Sequence, residues 1–588
     1  MKYTKCASVL ASLFCMLFSL LLLIFILGPG DGTWMLYGNA LDAGGRIYSD
    51  LYFSMQPIYP IASKIISKIS SGVIYKEKIF YAIVPFLYIY SLYKIVNLFD
   101  SSDLLRALII LTVFFTGIYF EAYRFDDYHA LCDALVLYSV YWIILYLLDR
   151  VEFKEFIYLQ SVLLFLVMFT RLNDGIGLFF SILCISIKRN GIAVMASKAV
   201  LVSALSYIFI FYLLLLSIDE TFITWFRESI LNASTIKGGF GLIGYPYMLI
   251  VNSFEYIFSN LATAAWRKLI PIAFEFMAIV YLSKNLLRDY RFAKTAIVIS
   301  LILSIDFFVR IKQIYDAPLI FIATPYFVAF YLLFLFSKVG QGIYFKITDR
   351  VSVEPNLKLL FIVPLFLFIF GSLSSAGSFR DLYFPLACSI LVIYVNYFSI
   401  RKITDGRALH LLFYVFCASL LFKGLYFRYH NPYSWHSYHV SKMFNSYVYK
   451  NDVIHGPHLI TEELDNLITP VCTQVKGSTL LSLPFSFANY YCQVPTWNGH
   501  IQSFFDTTSR DSIEKLIFNI DDEPPEYIFY QRQMDNLKIH EMVFNAGMDL
   551  PQRKLDELIM NNLKSGKWKV VYKSNAFAPS SWYLVKTN

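Results

Sequence analysis

ASVLASLFCMLFSLLLLIFILG, residues 7–28, carries no charged side chain, and after Pro29 it leads into GDGTWMLYGNALDAGGRIYSDLYFSMQPIYP, residues 30–60. At 1.5 Å of rise per residue, the first stretch is long enough as a helix to cross the roughly 30 Å hydrocarbon core of a bilayer. Asp31 is then the first carboxylate beyond a membrane span. It sits at the lipid–water boundary, where a reactive group can meet molecules anchored in lipid.

Composition places the whole chain in the same setting. Of 588 residues, 57% are hydrophobic and only 16% charged, and the mean hydropathy is +0.55. That is too much apolar surface for a soluble protein, and the apolar segments recur at span length. The net charge of +8 does not point to nucleic acid, because the basic residues are spread among short connections between spans, where they act as topology signals. Lys2 and Lys5 before an apolar run would also suit a signal peptide. The run is longer than a usual signal core and lacks a small-x-small cleavage site, so the expectation is an uncleaved first helix.

Candidate spans fall near 7–28, 79–98, 104–120, 130–148, 156–170, 172–187, 198–217, 269–287, 292–309, 317–337, 357–373, 383–399 and 408–427. The fold class expected is mainly α: a polytopic transmembrane helical bundle of about 13 spans over residues 1–430, followed by a soluble α/β domain over 440–588. With the N-terminus cytoplasmic, Lys188/Arg189, Lys284/Arg288/Arg291/Lys294, Lys338/Lys346/Arg350 and Arg401/Lys402/Arg407 all fall inside, as the positive-inside rule asks. The same count places the loops at 31–71, 121–129, 170–174, 219–268, 310–316 and 372–381, and the C-terminal domain, on the outer face. The expected location is therefore the inner (plasma) membrane, with an extracytoplasmic, periplasmic C-terminus. In that domain, 526–530 and 568–572 alternate as strands, and 511–519 and 550–563 read as helices.

Six cysteines lie in apolar stretches as small fillers, whereas Cys472 and Cys492 lie where a disulfide is permitted. No CxxC, HExxH, P-loop or GxSxG occurs, which argues against a zinc protease, an ATPase or an α/β-hydrolase.

Three outer-face features bring chemistry together. The first loop sets Asp31 and Asp50 around Trp34, Tyr37, Asn39, Asp42 and Tyr48. Aromatic faces pack on sugar rings, and a carboxylate at the interface can accept a proton; an interfacial aromatic belt with solvated acids is the structural alternative. The second, FEAYRFDDYHALCDALVLYSVYW at 120–142, holds Glu121, Arg124, Asp126, Asp127, His129 and Asp133. His129 and Asp133, four apart, would share a helical face and suit a metal site or an oriented base. Helix capping by Asp126 or Asp127 accounts for one acid equally well. The third, MFTRLNDGIG at 168–177, breaks a long apolar stretch with Arg171 and Asp174, which are costly at membrane depth. Arg310 and Lys312 in DFFVRIKQIYDAP and Arg380 in SSAGSFRDLYFP bring further cations to the same face. Guanidinium groups gathered near a membrane surface suit a phosphate-bearing lipid head group, although each alone also reads as a snorkelling or topological residue.

Together these elements resemble the GT-C superfamily of membrane glycosyltransferases, in particular the branch with the protein O-mannosyltransferases and the lipid A aminoarabinose transferase. The likeness covers about 430 residues: GDGTW after the first span, GRIYSD followed by QPIYP, HALCDAL at a helix head, FTRLNDG resembling a Thr-Lys turn, and FRDLYFP late in the chain. The resemblance implies sugar transfer from a polyprenyl-phosphate donor at the outer face, with inversion. Asp31 matches the catalytic carboxylate of the first loop, and Asp133, with Asp127 beside it, the acid of the second. Arg171 stands where the family has a lysine, and Gln56 where the lipid A branch has one before the proline.

The catalytic residues expected are thus Asp31, Asp133 and Asp127, with Arg171, Arg310 and Arg380 on the donor phosphate and Trp34, Tyr37, Asp50, Arg124 and His129 on the substrate. The lipid-linked sugar is a substrate, no cofactor is required by the sequence, and a divalent metal is an open option. The acceptor would be a glycan, such as lipopolysaccharide, a lipid or a protein of the cell envelope. NPYSWHSYH at 431–439 and PTWNGH at 495–500 would cover the cavity or bind acceptor glycans, or form core. A transporter or flippase for lipid-linked sugars also needs interfacial cations and many spans, but not a large C-terminal domain. An O-antigen polymerase or ligase using diphosphate-linked donors is a third reading, which the early acidic loop disfavours.

Overall fold

The computed structural model describes residues 6–25, 33–51, 53–70, 78–99, 101–117, 127–236 and 356–374, isolated positions between 388 and 421, and, in the C-terminal region, 447–452, 456–505, 507–532, 537–538, 541, 548–575 and 581–587. The expected spans at 269–287, 292–309 and 317–337 lie outside the described residues.

Among the described residues the long apolar runs are helical. These are α1 (Cys6–Phe25), α4 (Ile83–Val96), α5 (Asp103–Gly117), α6 (Tyr128–Leu147), α7 (Phe153–Thr170), α8 (Leu172–Asn190) and α9 (Lys198–Ser217), with α2 (Thr33–Asp42) and α3 (Ile58–Ser70) between the first two. A further helix, α10 (Ile362–Ser374), packs on α8. Among the described residues four helices are long and apolar enough to cross a membrane: Lys78–Val96, which contains α4, and α6, α7 and α9.

Side-chain ties sort the helix ends. Asp103, at the head of α5, accepts from the Ala7 amide at 2.6 Å and the Ser8 hydroxyl at 2.5 Å, so α1 and α5 begin at one end of the bundle. Arg189, at the close of α8, donates to the Tyr146 carbonyl and the Asp149 carboxylate beyond α6 and stacks 3.9 Å from the Tyr146 ring centroid. The chain reverses after each helix, so these closing ends gather on the side where α1 begins, and Lys188 and Arg189 lie there with them.

The opposite end is more irregular. Within the first loop, read from the sequence as an aspartate-, glycine- and tyrosine-rich connection between spans, α2 and α3 pack together. Gly38 makes this possible: a Cβ there would stand 2.7 Å from the Ser63 backbone. Glu220, just past α9, accepts from the amides of Tyr48 at 2.9 Å and Ser49 at 3.0 Å, and from the Ser49 hydroxyl at 3.1 Å. This buried carboxylate ties the 46–50 turn to a helix that starts some 150 residues later.

In the C-terminal region, β3 (Leu480–Leu483), β4 (Tyr527–Gln531), β5 (Lys569–Ser574) and β6 (Trp582–Lys586) form one sheet in the order β3-β4-β6-β5, while β1 (Tyr447–Asp452) and β2 (Gly456–Thr461) form a separate hairpin. β3 and β4 are parallel and the remaining pairs antiparallel. Period-two alternation divides the faces. Leu481, Leu483, Ile528, Tyr530 and Val585 meet α13 (Arg510–Asp522) and α14 (Pro551–Lys564). Leu480, Phe529 and Leu584 turn to the side of α11 (Glu462–Val475) and α12 (Phe487–Cys492). A disulfide joins Cys472 of α11 to Cys492 of α12, at the pair of cysteines the sequence left open.

Candidate functional site

The head of α6 is set by its own sequence. Asp127, in extended conformation, caps the helix: its Oδ1 accepts from the His129 amide at 2.9 Å. The same oxygen lies 2.9 Å from Nδ1 of His129, and both side chains are about 85% buried, with 14% and 16% exposure. Asp127 is thus a cap, as the sequence allowed, and Asp126 lies outside the described residues. The His129 ring reaches back to Asp127.

The break at 170–174 is a sharp reversal and not a loop. Arg171 alone separates α7 from α8, with φ −147° and ψ 106°, serving as the last cap of one helix and the first of the next. The two helices fold so closely that a Cβ on Gly175 would lie 2.4 Å from Cα of Met168. Asp174, in the first turn of α8, pairs with Arg171, Nη1 to Oδ2 at 2.9 Å. The Cys132 thiol of α6 donates to that same Oδ2 at 3.5 Å. The charges of Asp133, Asp174 and Arg171 all act on the Cys132 thiol, and those of both aspartates on Cys388. The second and third motif regions therefore meet at one end of the bundle.

The first loop reaches this place through Trp34, whose ring centroid is 5.7 Å from that of Tyr128 and 4.8 Å from that of Tyr59. Trp34 is half-buried. Tyr37 is 1% exposed, and it packs on Phe53 at 4.9 Å between centroids. Here its role is packing. Asp50 is exposed and paired with Arg46 at 3.1 Å; that hydrogen-bonded guanidinium holds its carboxyl below the usual carboxylate range. Asp31, Arg124, Arg310 and Arg380 lie outside the described residues.

Gln56, where the resemblance leads one to look for a lysine, is buried. Its Oε1 accepts from the Trp225 indole and its Nε2 donates to the Ser229 carbonyl, both at 3.4 Å. It joins the first loop to the segment after α9. Asp174 and Glu220 were not among the expected site residues. Asp174 could have been found from its cost at membrane depth. Glu220 carries no local signal, since its partners are backbone amides about 170 positions away. Among the described residues no three His, Cys, Asp or Glu side chains converge as metal ligands.

The PTWNGH turn lies against the first loop. Gly499 has φ +68°, and a Cβ there would stand 2.6 Å from the Asp50 carbonyl. Ile501 joins the core formed by Tyr37, Leu41, Leu51 and Phe53. Trp497 and His500 are buried, so of the two readings of this motif the structure supports core.

No protein-family model matches the chain, and no curated protein matches it. The chain is similar to a solved structure, the crystal structure of ArnT from Cupriavidus metallidurans bound to undecaprenyl phosphate, with 9% sequence identity and a TM-score of 0.40 over 98% of this chain and 97% of that one. Likeness at that level assigns neither a family nor an activity.

Proposed function

We propose that this protein is an integral-membrane glycosyltransferase that moves a sugar from a polyprenyl-phosphate donor to a cell-envelope acceptor. The observation that carries the reading is the meeting, at one end of an apolar helix bundle, of the acidic α6 head with the cation at the α7–α8 reversal. Transfer from a lipid phosphate needs a carboxylate to accept the proton of the incoming hydroxyl and cations to stabilise the charge developing on the leaving phosphate. Asp133, with Asp31, is assigned the first task. Arg171, with Arg310 and Arg380, is assigned the second. Asp127 and His129 shape the α6 head, and Trp34 lines the approach from the first loop. The sequence resemblance to GT-C enzymes supports the same assignment, with the outer face as the side of reaction and residues 440–588 as its extramembrane domain.

The experiment is to compare envelope glycans, glycolipids and glycoproteins by mass spectrometry with and without the gene, and then with the gene restored as variants. Loss of one sugar modification is expected on deletion. Arg171→Ala should lower transfer on the order of 100-fold, since one preorganised charge-stabilising donor contributes about 3 kcal/mol, and Arg171→Lys should recover part of it, because an ammonium lacks the bidentate fork. An unchanged glycan profile combined with altered movement of lipid-linked sugar across the membrane would favour a transporter instead.

A further inference from the structure

The Asp174 carboxylate sits where two helices meet, and a single oxygen makes both contacts: Oδ2 lies 2.9 Å from Nη1 of Arg171 and 3.5 Å from Sγ of Cys132. Its own backbone has little freedom. Gly175 is pressed on Met168 of α7, and a Cβ on Gly177 would come within 2.9 Å of the Phe366 carbonyl of α10. The Arg171 and Asp174 side chains are only 16% and 10% exposed. A carboxylate so far removed from water is held to its cation, because an uncompensated buried charge is strongly unfavourable.

From this we infer that Asp174 is a positioning residue for the lipid phosphate: it fixes the Arg171 guanidinium in register with the α6 head that carries Asp133. The inference rests on the assignment of Arg171 to the donor phosphate. Arginine on a four-bond stem has many rotamers. Anchoring one edge of the guanidinium to a rigid carboxylate removes much of that freedom before the lipid arrives, which lowers the ordering cost of binding. An ion pair that merely neutralised a break in the helix would give the same static contact, so the two roles must be separated by coupling.

The probe is radiolabelled undecaprenyl phosphate bound to the full-length protein in nanodiscs, read alongside thermal stability. Arg171→Ala should weaken binding about tenfold or more. Asp174→Asn should weaken it several-fold, Asp174→Glu should retain an intermediate affinity, and the double variant should bind no more weakly than Arg171→Ala alone, because coupled groups are non-additive. If Asp174→Asn does not fold, Asp174→Glu decides: affinity equal to the unaltered protein overturns the inference. Losses that multiply in the double variant, or tighter binding by Asp174→Asn, also overturn it while leaving the Arg171 assignment standing. Binding unaffected by Arg171→Ala would remove that assignment and the inference with it.

Discussion

Under the proposed function, not every aspartate of the first two motif regions should matter equally. Asp31→Asn and Asp133→Asn should each abolish or nearly abolish transfer while expression and membrane insertion persist, because the change removes a proton acceptor and keeps its shape. Asp42 is exposed and lies 3.6 Å from the Lys68 ammonium, an arrangement of small energetic weight, so Asp42→Asn should be mild. The check is the amount of restored envelope modification per unit of protein; near-normal transfer by Asp31→Asn would sink the catalytic assignment. His500 offers a different kind of test. Burial pulls its pKa down from 6.5 to about 3. Between those values the unfolded chain binds a proton that the folded chain refuses, so stability is full above about pH 6.5 and declines as pH falls, by about 1.4 kcal/mol per unit. Thermal midpoints of the unaltered protein should drop between pH 7 and 5 more steeply than those of His500→Gln.

At the scale of elements, legibility followed periodicity and length. Segments expected at 511–519 and 550–563 are helices α13 and α14, and those at 526–530 and 568–572 are β4 and β5, within three residues at each end. β3 was missed because LLSL is four residues, all buried, and short apolar runs do not declare their period. The helices inside the first loop were not legible for another reason. Glycines 38, 44 and 45 and three aspartates signal a loop, yet Gly38 is there to let α2 and α3 touch. His129 and Asp133 stand four apart on α6, as their spacing implies, whereas the Asp127–His129 contact was not legible because Asp127 stands just before the helix, where spacing rules no longer apply. Close helix contacts through glycine give an element-scale expectation. Gly175→Ala places a methyl 2.4 Å from Cα of Met168, and Gly38→Ala one 2.7 Å from the Ser63 backbone, so both should reduce the yield of monodisperse protein on size exclusion. Gly191→Ala, with nothing within 4 Å but a φ of +80°, should lose less.

For the molecule as a whole, sidedness is the decisive quantity. The PTWNGH turn rests on the first loop, and Glu220 ties that loop to the close of α9, so all three share one side of the bilayer. A reporter fused after Asn588 should score as extracytoplasmic and one fused after Arg407 as cytoplasmic; reporters in the first loop and after Asn588 that score on opposite sides would be incompatible with the contact at Gly499. Charge bookkeeping in the sequence puts the first loop and the C-terminal region on one face as an expectation. It gave no sign of the contact itself, because nothing local in GRIYSD or PTWNGH encodes the other's position.

The Gly499–Asp50 contact also has a history in time. About 450 residues separate the two positions, and a ribosome adding 5–20 residues per second needs on the order of half a minute to a minute and a half to cover them. Throughout that interval the turn at 46–50 exists without its final neighbour. The nascent protein thus spends most of its synthesis with this turn uncovered, and the contact can form only when the last sixth of the chain is being made. A chain that stopped short of Gly499 would leave the turn at 46–50 without this neighbour, so the packing of one of the first loops made depends on one of the last turns made.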